Sequence, residues 1–154
     1  MDFKHPEKFL YYTLKHKHIE YSKQIIELYR QHLSLNRILV DSCNNGWLEI
    51  IEYLFTLPNH NILINYGYNL PFYNACSKGY IDIVKFLLSL LNNDIDLNIF
   101  DDTLFSCLCI KGHLNIIQYI LSISNPNNLD TILNKSFKYA CEFKQINIIR
   151  YLFV

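Results

Sequence analysis

The chain has 154 residues, 51% of them apolar, and 14 Lys and Arg balance 14 Asp and Glu for a formal net charge of zero. That length and apolar content suffice for one domain with a continuous core, and the charge balance excludes a binder that relies on general attraction to phosphate. Ile occurs 21 times and Asn 17 times, beside 12 Tyr and 10 Phe. Such a bias points to an AT-rich coding genome, of the kind found in a protist or a large DNA virus, more than to a function.

The amino terminus, Met1-Asp2-Phe3-Lys4-His5-Pro6, opens into charge instead of an apolar core, so it is not a secretory signal. Two helical stretches follow, over residues 5–17 with Pro6 near the start, and over residues 21–33 carrying Ile25-Ile26-Glu27-Leu28-Tyr29. Residues 1–36 read as a degenerate helical cap on whatever follows, since a stack of repeats needs a more polar terminal unit. Residues 1–40 carry a charge of +3 and residues 41–154 a charge of −3, a modest asymmetry that solvated helix faces explain. His16 and His18 lie too close together in sequence, and with too few partners, to hold a metal.

From residue 37 onward one motif recurs. Cys43, Cys76, Cys109 and Cys141 are spaced by 33, 33 and 32 residues. Each is followed three residues later by Gly46, Gly79, Gly112 and, in the last copy, Lys144. Then comes an amphipathic run: Leu48-Glu49-Ile50-Ile51, Ile81-Asp82-Ile83-Val84, Leu114-Asn115-Ile116-Ile117, Ile146-Asn147-Ile148-Ile149. Apolar residues at helical three-and-four spacing make each copy a helix, a tight turn, a helix and a loop. A fixed period in this range is the signature of stacked repeats.

The pattern closely resembles the ankyrin repeat. Copy two carries it as Leu70-Pro71-Phe72-Tyr73, Ala75-Cys76, Gly79-Tyr80 and Asp82-Ile83-Val84, and copy three keeps Thr103, Gly112-His113 and Asn115-Ile116-Ile117. Cysteine stands where the family has its second alanine, a mild exchange because free cysteine behaves as a small hydrophobe. The resemblance implies an all-α, ankyrin-type helix-turn-helix solenoid with four repeats at about 37–69, 70–102, 103–134 and 135–154, the last incomplete. The family's Thr-Pro-Leu-His turn is mostly lost in copies one and four. The connecting segments, residues 64–69 and 97–102, are short for the family and predict stunted, irregular fingers.

The chain reaches Leu152-Phe153-Val154 inside the second helix of the fourth copy. A face around Phe137, Ile148 and Leu152 is then expected to lie open. Equivalent positions of stacked helices sit roughly 8–10 Å apart, too far for a disulfide or for shared zinc. The cysteines are therefore expected to be buried free thiols in a reducing compartment, with Cys107 and Cys109 on different sides of one helix. No phosphate loop, His-Glu-x-x-His, Gly-x-Ser-x-Gly or Cys-x-x-Cys motif is present. Asp101-Asp102 reads as a helix start, so neither catalysis nor a cofactor or metal is expected. No apolar stretch is long enough to span a bilayer, which leads to the expectation of a soluble protein of the cytoplasm, that of a host cell if the source is viral.

The resemblance implies a binding scaffold whose partner is a protein, not nucleic acid or membrane. In the family, finger tips and the exposed side of the first helices make the contacts. By position these are Tyr66, Tyr68, Asn69, Phe100, Asp101 and Asp102 in the loops. On the inner helices they are Lys78 and Lys111, with Asp41, Asn44, Asn45 and Asn74 beside them. The alternative is a self-assembling module that stacks through its carboxy-terminal end.

Overall fold

The structure is a computed structural model that describes residues 5–90, 102–123 and 129–153. Among these residues there is no strand, and ten α-helices account for nearly everything. They form two compact units, residues 1–71 and 72–154.

In the first unit, α1 (Pro6–Lys15) and α2 (Ile19–Tyr29) make one hairpin, and α3 (Leu35–Asn45) and α4 (Leu48–Thr56) make the next. A 3-10 turn at Arg30–His32 joins them. Pro6 opens α1, where its missing N–H costs nothing. Ser34 caps α3, its hydroxyl accepting from the Arg37 N–H at 3.4 Å. α2 packs against α4, with Ile26, Ile50, Ile51 and Leu54 fully buried.

The loop after α4 is tied down from below. The Asn36 side chain accepts from Leu63 N–H at 2.8 Å and donates to the Asn61 carbonyl at 3.4 Å. Arg30 donates to the Pro58 carbonyl at 3.1 Å.

The second unit repeats the plan three times. The hairpins are α5 (Tyr66–Lys78, which begins in the first unit) with α6 (Ile81–Ser89), α7 (Asp102–Lys111) with α8 (Leu114–Ile123), and α9 (Leu129–Glu142) with α10 (Ile146–Leu152). α7 packs on α9 in an inner layer, and α6 packs on α8 in an outer one. Ile83, Ile116 and Ile148, three equivalent residues, are all buried.

One turn closes every hairpin. The N–H of Tyr80, His113 and Gln145 reaches back to the carbonyl of Ala75, Leu108 and Ala140. Gly79 and Gly112 hold φ near +80, and Lys144 holds φ +56. This is a Schellman closure with a left-handed residue just past the first helix. In the first unit the same closure joins Trp47 N–H to the Ser42 carbonyl across Gly46, and His18 N–H to the Thr13 carbonyl across Lys17.

That last closure sets the register at the amino terminus, pairing Lys17 with Gly46 at an offset of 29. The residue matching buried Ile51 is then Ser22, which is equally buried. Its hydroxyl donates to Thr13 Oγ1 at 2.8 Å, so a satisfied polar residue stands in place of Ile51 and hides the repeat.

The finger at residues 64–69 is reduced to one left-handed turn. Gly67, Tyr68 and Asn69 have φ of 60, 59 and 64. Pro71 follows at the true start of the helix, where its fixed φ fits. Of the second expected finger, residues 97–102, residues 97–101 lie outside the described residues.

Two more expectations change. Cys141 is exposed, while Cys43, Cys76 and Cys109 are buried as expected. Ser136 of the following hairpin lies beside Cys109, and no described residue plays that part for Cys141. Ile148 is buried and Phe137 and Leu152 are half-buried, because Ile148 faces α9 as its equivalents face their own first helices. The exposed apolar residues at this end are Phe143, Ile146, Tyr151 and Phe153.

A left-handed residue with a Cβ costs roughly 1 kcal/mol relative to glycine. Lys17→Gly and Lys144→Gly should therefore each raise stability in urea unfolding by about that amount. A loss of stability would show that the lysine side chains contribute more than the backbone costs.

Candidate functional site

Each repeat's first helix has to present one side to solvent, because its other sides meet its own second helix and the neighbouring repeats. In residues 72–154 these open sides line a groove of about 490 Å³. Tyr73 comes from α5; Thr103, Ser106, Cys107, Ile110 and Lys111 come from α7; Lys135 and Tyr139 come from α9. Three consecutive inner helices thus contribute, held in register by the buried Leu104, Phe105, Leu108 and Ala140 behind them.

The repeats are also stitched from one to the next. His113 Nε2 lies 3.2 Å from the Ser77 carbonyl, and since a carbonyl only accepts, the ring nitrogen donates. Gln145 Nε2 donates to the Ile110 carbonyl at 3.0 Å. Ser77 and Ile110 are equivalent residues, each one past a repeat cysteine. The two side chains do the same work by different chemistry, taking up a carbonyl that the helix end leaves free.

A smaller hollow, of about 240 Å³, lies in residues 1–71 between α1 and α3. Leu10, Leu14, Leu33 and Ile38 make its floor, and Tyr11 and Trp47 meet edge to face at its side with ring centres 6.4 Å apart. Its rim mixes signs: Glu7 and Asp41 beside Arg37 and His32, with Arg37 bound to Asp41 at 3.2 Å.

Of the residues expected from sequence, Lys111 lines the larger groove. Lys78 is exposed at the end of α5 and is not among the lining residues. Tyr66 is exposed and Asn69 half-buried in the left-handed turn, and Tyr68, between them, is 100% exposed. Asp41 is engaged by Arg37, and Asn45 Nδ2 donates to the Asp41 carbonyl at 2.7 Å, so that pair serves α3. Asn44 and Asn74 are half-buried. Phe100 and Asp101 lie outside the described residues, as does the side chain of Asp102, whose backbone begins α7.

Sequence reasoning missed Tyr73, Thr103, Ser106, Lys135 and Tyr139. The signal was there: Lys135 occupies the place of Thr103 in the 32-residue frame that carries Gly112 to Lys144.

The groove's described lining residues include no histidine and no carboxylate. Burial pushes the Cys43 thiol from its ordinary 9.0 up to about 12 and raises Cys109, where the nearby Ser136 hydroxyl opposes the rise without reaching hydrogen-bond geometry. Both thiols are therefore held neutral, which suits packing and not nucleophilic chemistry. Tyr53 is also raised, by partial burial and by its hydroxyl donating to Glu27 at 3.1 Å. No group of His, Cys, Asp and Glu among the described residues is placed to hold a metal ion. No helix among the described residues is long and apolar enough to cross a membrane.

The family described as ankyrin repeats (3 copies) matches residues 72–153, just over half of the chain and almost the whole of the second unit. No curated protein and no solved structure matches the chain.

Proposed function

This chain belongs to the ankyrin-repeat family, and from that membership we propose that it is a non-catalytic scaffold of the cytoplasm that binds a protein partner. Ankyrin repeats in general are protein–protein interaction modules. The contact surface we assign is the inner-helix groove of residues 72–154, with the Tyr66–Asn69 turn as a second contact element. Residues 1–36 are read as a cap and residues 37–154 as four repeats. The observation that carries the reading is the groove itself: three consecutive helices turn Tyr73, Lys111 and Tyr139 into one open channel. Tyrosine is among the side chains that dominate interface hot spots. The free cysteines, without a disulfide between them, are what a reducing compartment would keep. Metal, cofactor, nucleic acid and membrane play no part in this reading.

Selection of a random displayed peptide library on the folded chain tests it. Selected peptides should bind the wild type and lose roughly tenfold in affinity on Tyr139→Ala. A library that yields no binder, or binders indifferent to Tyr139→Ala and to Tyr68→Asp, would contradict it.

A second reading, self-assembly through the carboxy-terminal end, has one observation in its favour. Ile146 is 55% exposed and Phe153 80% exposed, beside exposed Phe143 and Cys141, an apolar group that a second copy would cover. Light-scattering mass across a concentration series decides it. Association abolished by Phe153→Asp supports assembly, and a monomer throughout removes it.

A further inference from the structure

We infer that the hollow between α1 and α3 seats one aromatic side chain of the partner protein. The inference extends the scaffold reading to residues 1–71 and needs no contact with the groove. In the second unit the inner helices α7 and α9 pack closely, but in the first α2 packs on α4 while α1 and α3 make little contact. The hollow is the space that this leaves, about 240 Å³ over Leu10, Leu14 and Ile38, all three buried. Trp47 stands just past the left-handed Gly46, as His113 stands past Gly112 and Gln145 past Lys144. His113 and Gln145 each reach a carbonyl of the preceding repeat. Trp47 makes no such bond among the described residues, and it lines the hollow instead.

Size and wall geometry choose the occupant. A cavity of roughly 150 Å³ takes a benzene ring, and small-molecule sites start at about 300 Å³, so the hollow fits one large side chain. The rings of Tyr11 and Trp47 stand at its side, with centres 6.4 Å apart and planes at 67°. Aromatic rings prefer to meet offset-stacked or edge to face, with centres about 4.5–7 Å apart. A third ring stacked on one wall therefore meets the other nearly edge on, and both contacts are favourable at once. An aliphatic side chain gains the floor without either of them. Tyr11 is 52% exposed, so its ring lies within a partner's reach, and tyrosine and tryptophan are enriched where proteins meet. On the rim Arg37 is bound to Asp41 at 3.2 Å within α3, so the occupant needs no charge to satisfy that pair.

Trp47 is the chain's one tryptophan, and its emission reports on the hollow directly. The test titrates the full chain with the peptide Ser-Gly-Phe-Gly-Ser and with its Leu and Lys counterparts, none of which adds an indole. The Phe peptide should change Trp47 emission saturably, with an affinity that alters little as salt rises. The Leu peptide should bind about fivefold more weakly. Tyr11→Ala, at an exposed position, should weaken the Phe peptide by about the same factor and leave the Leu peptide nearly unchanged. A folding defect would weaken both, and helical circular dichroism is recorded beside each titration. No saturable change, equal binding of the Phe and Leu peptides, equal loss of both in Tyr11→Ala, or preference for the Lys peptide overturns the inference. If library-selected peptides depend on Tyr139 while the Phe peptide leaves Trp47 emission unchanged, this inference falls and the scaffold reading stands. If the Phe peptide binds as expected and Tyr139→Ala affects no selected peptide, the groove assignment falls instead.

Discussion

The packing of consecutive repeats in residues 72–154 depends on a space left open in the turns at Gly79 and Gly112. At Gly79 the chain needs φ +79, and a Cβ there would meet the His113 ring of the next repeat at 2.6 and 2.7 Å. At Gly112 a Cβ would meet Gln145 Oε1 at 2.6 Å. Glycine therefore does two things at once: it takes the left-handed conformation without strain, and it leaves room for the side chain that stitches the following repeat on. Where no described side chain crosses the turn, as at Lys144, the chain tolerates a strained lysine. The turn and the stitch are one device.

The device also settles what the inner helices can be used for. Because the backbone carbonyls at Ser77 and Ile110 are taken by His113 and Gln145, consecutive first helices are pinned at their carboxy-terminal ends. Their open sides then line up along the groove. α7 shows the division plainly. Leu104, Phe105 and Leu108 are buried, while Thr103, Ser106 and Lys111 face the groove and make no hydrophobic core. Residues free of packing duty are the ones a partner selects, so repeats with nearly the same buried residues can bear quite different grooves.

The periodic part of the fold was legible because burial repeats. Cysteine, glycine and the isoleucine pair recur where one helix must pass close to another, and those positions set the 33-residue frame. The amino-terminal hairpin was only half legible. Its helices showed, but Ser22 stands where the later copies carry a buried apolar residue, and hydrogen bonding to Thr13 satisfies it where packing satisfies the others. Period-based reading sees only the second kind of solution. The groove was least legible: of its lining residues the sequence singled out Lys111 and not its companions, because open positions carry no periodic constraint. The left-handed run at Gly67, Tyr68 and Asn69 left no signal beyond a single glycine.

The most direct test of the turn-and-stitch account is a double-mutant cycle on stability with Gly79→Ala and His113→Ala. The ring that His113 lays over Gly79 is both the hydrogen-bond donor and the obstacle to a Cβ, so the two changes should not add. The account predicts that the double variant loses less stability than the two single losses combined, with a coupling of about 1 kcal/mol. Additive losses, within about 0.3 kcal/mol, would mean that the glycine serves backbone conformation alone and that the stitch does not depend on it.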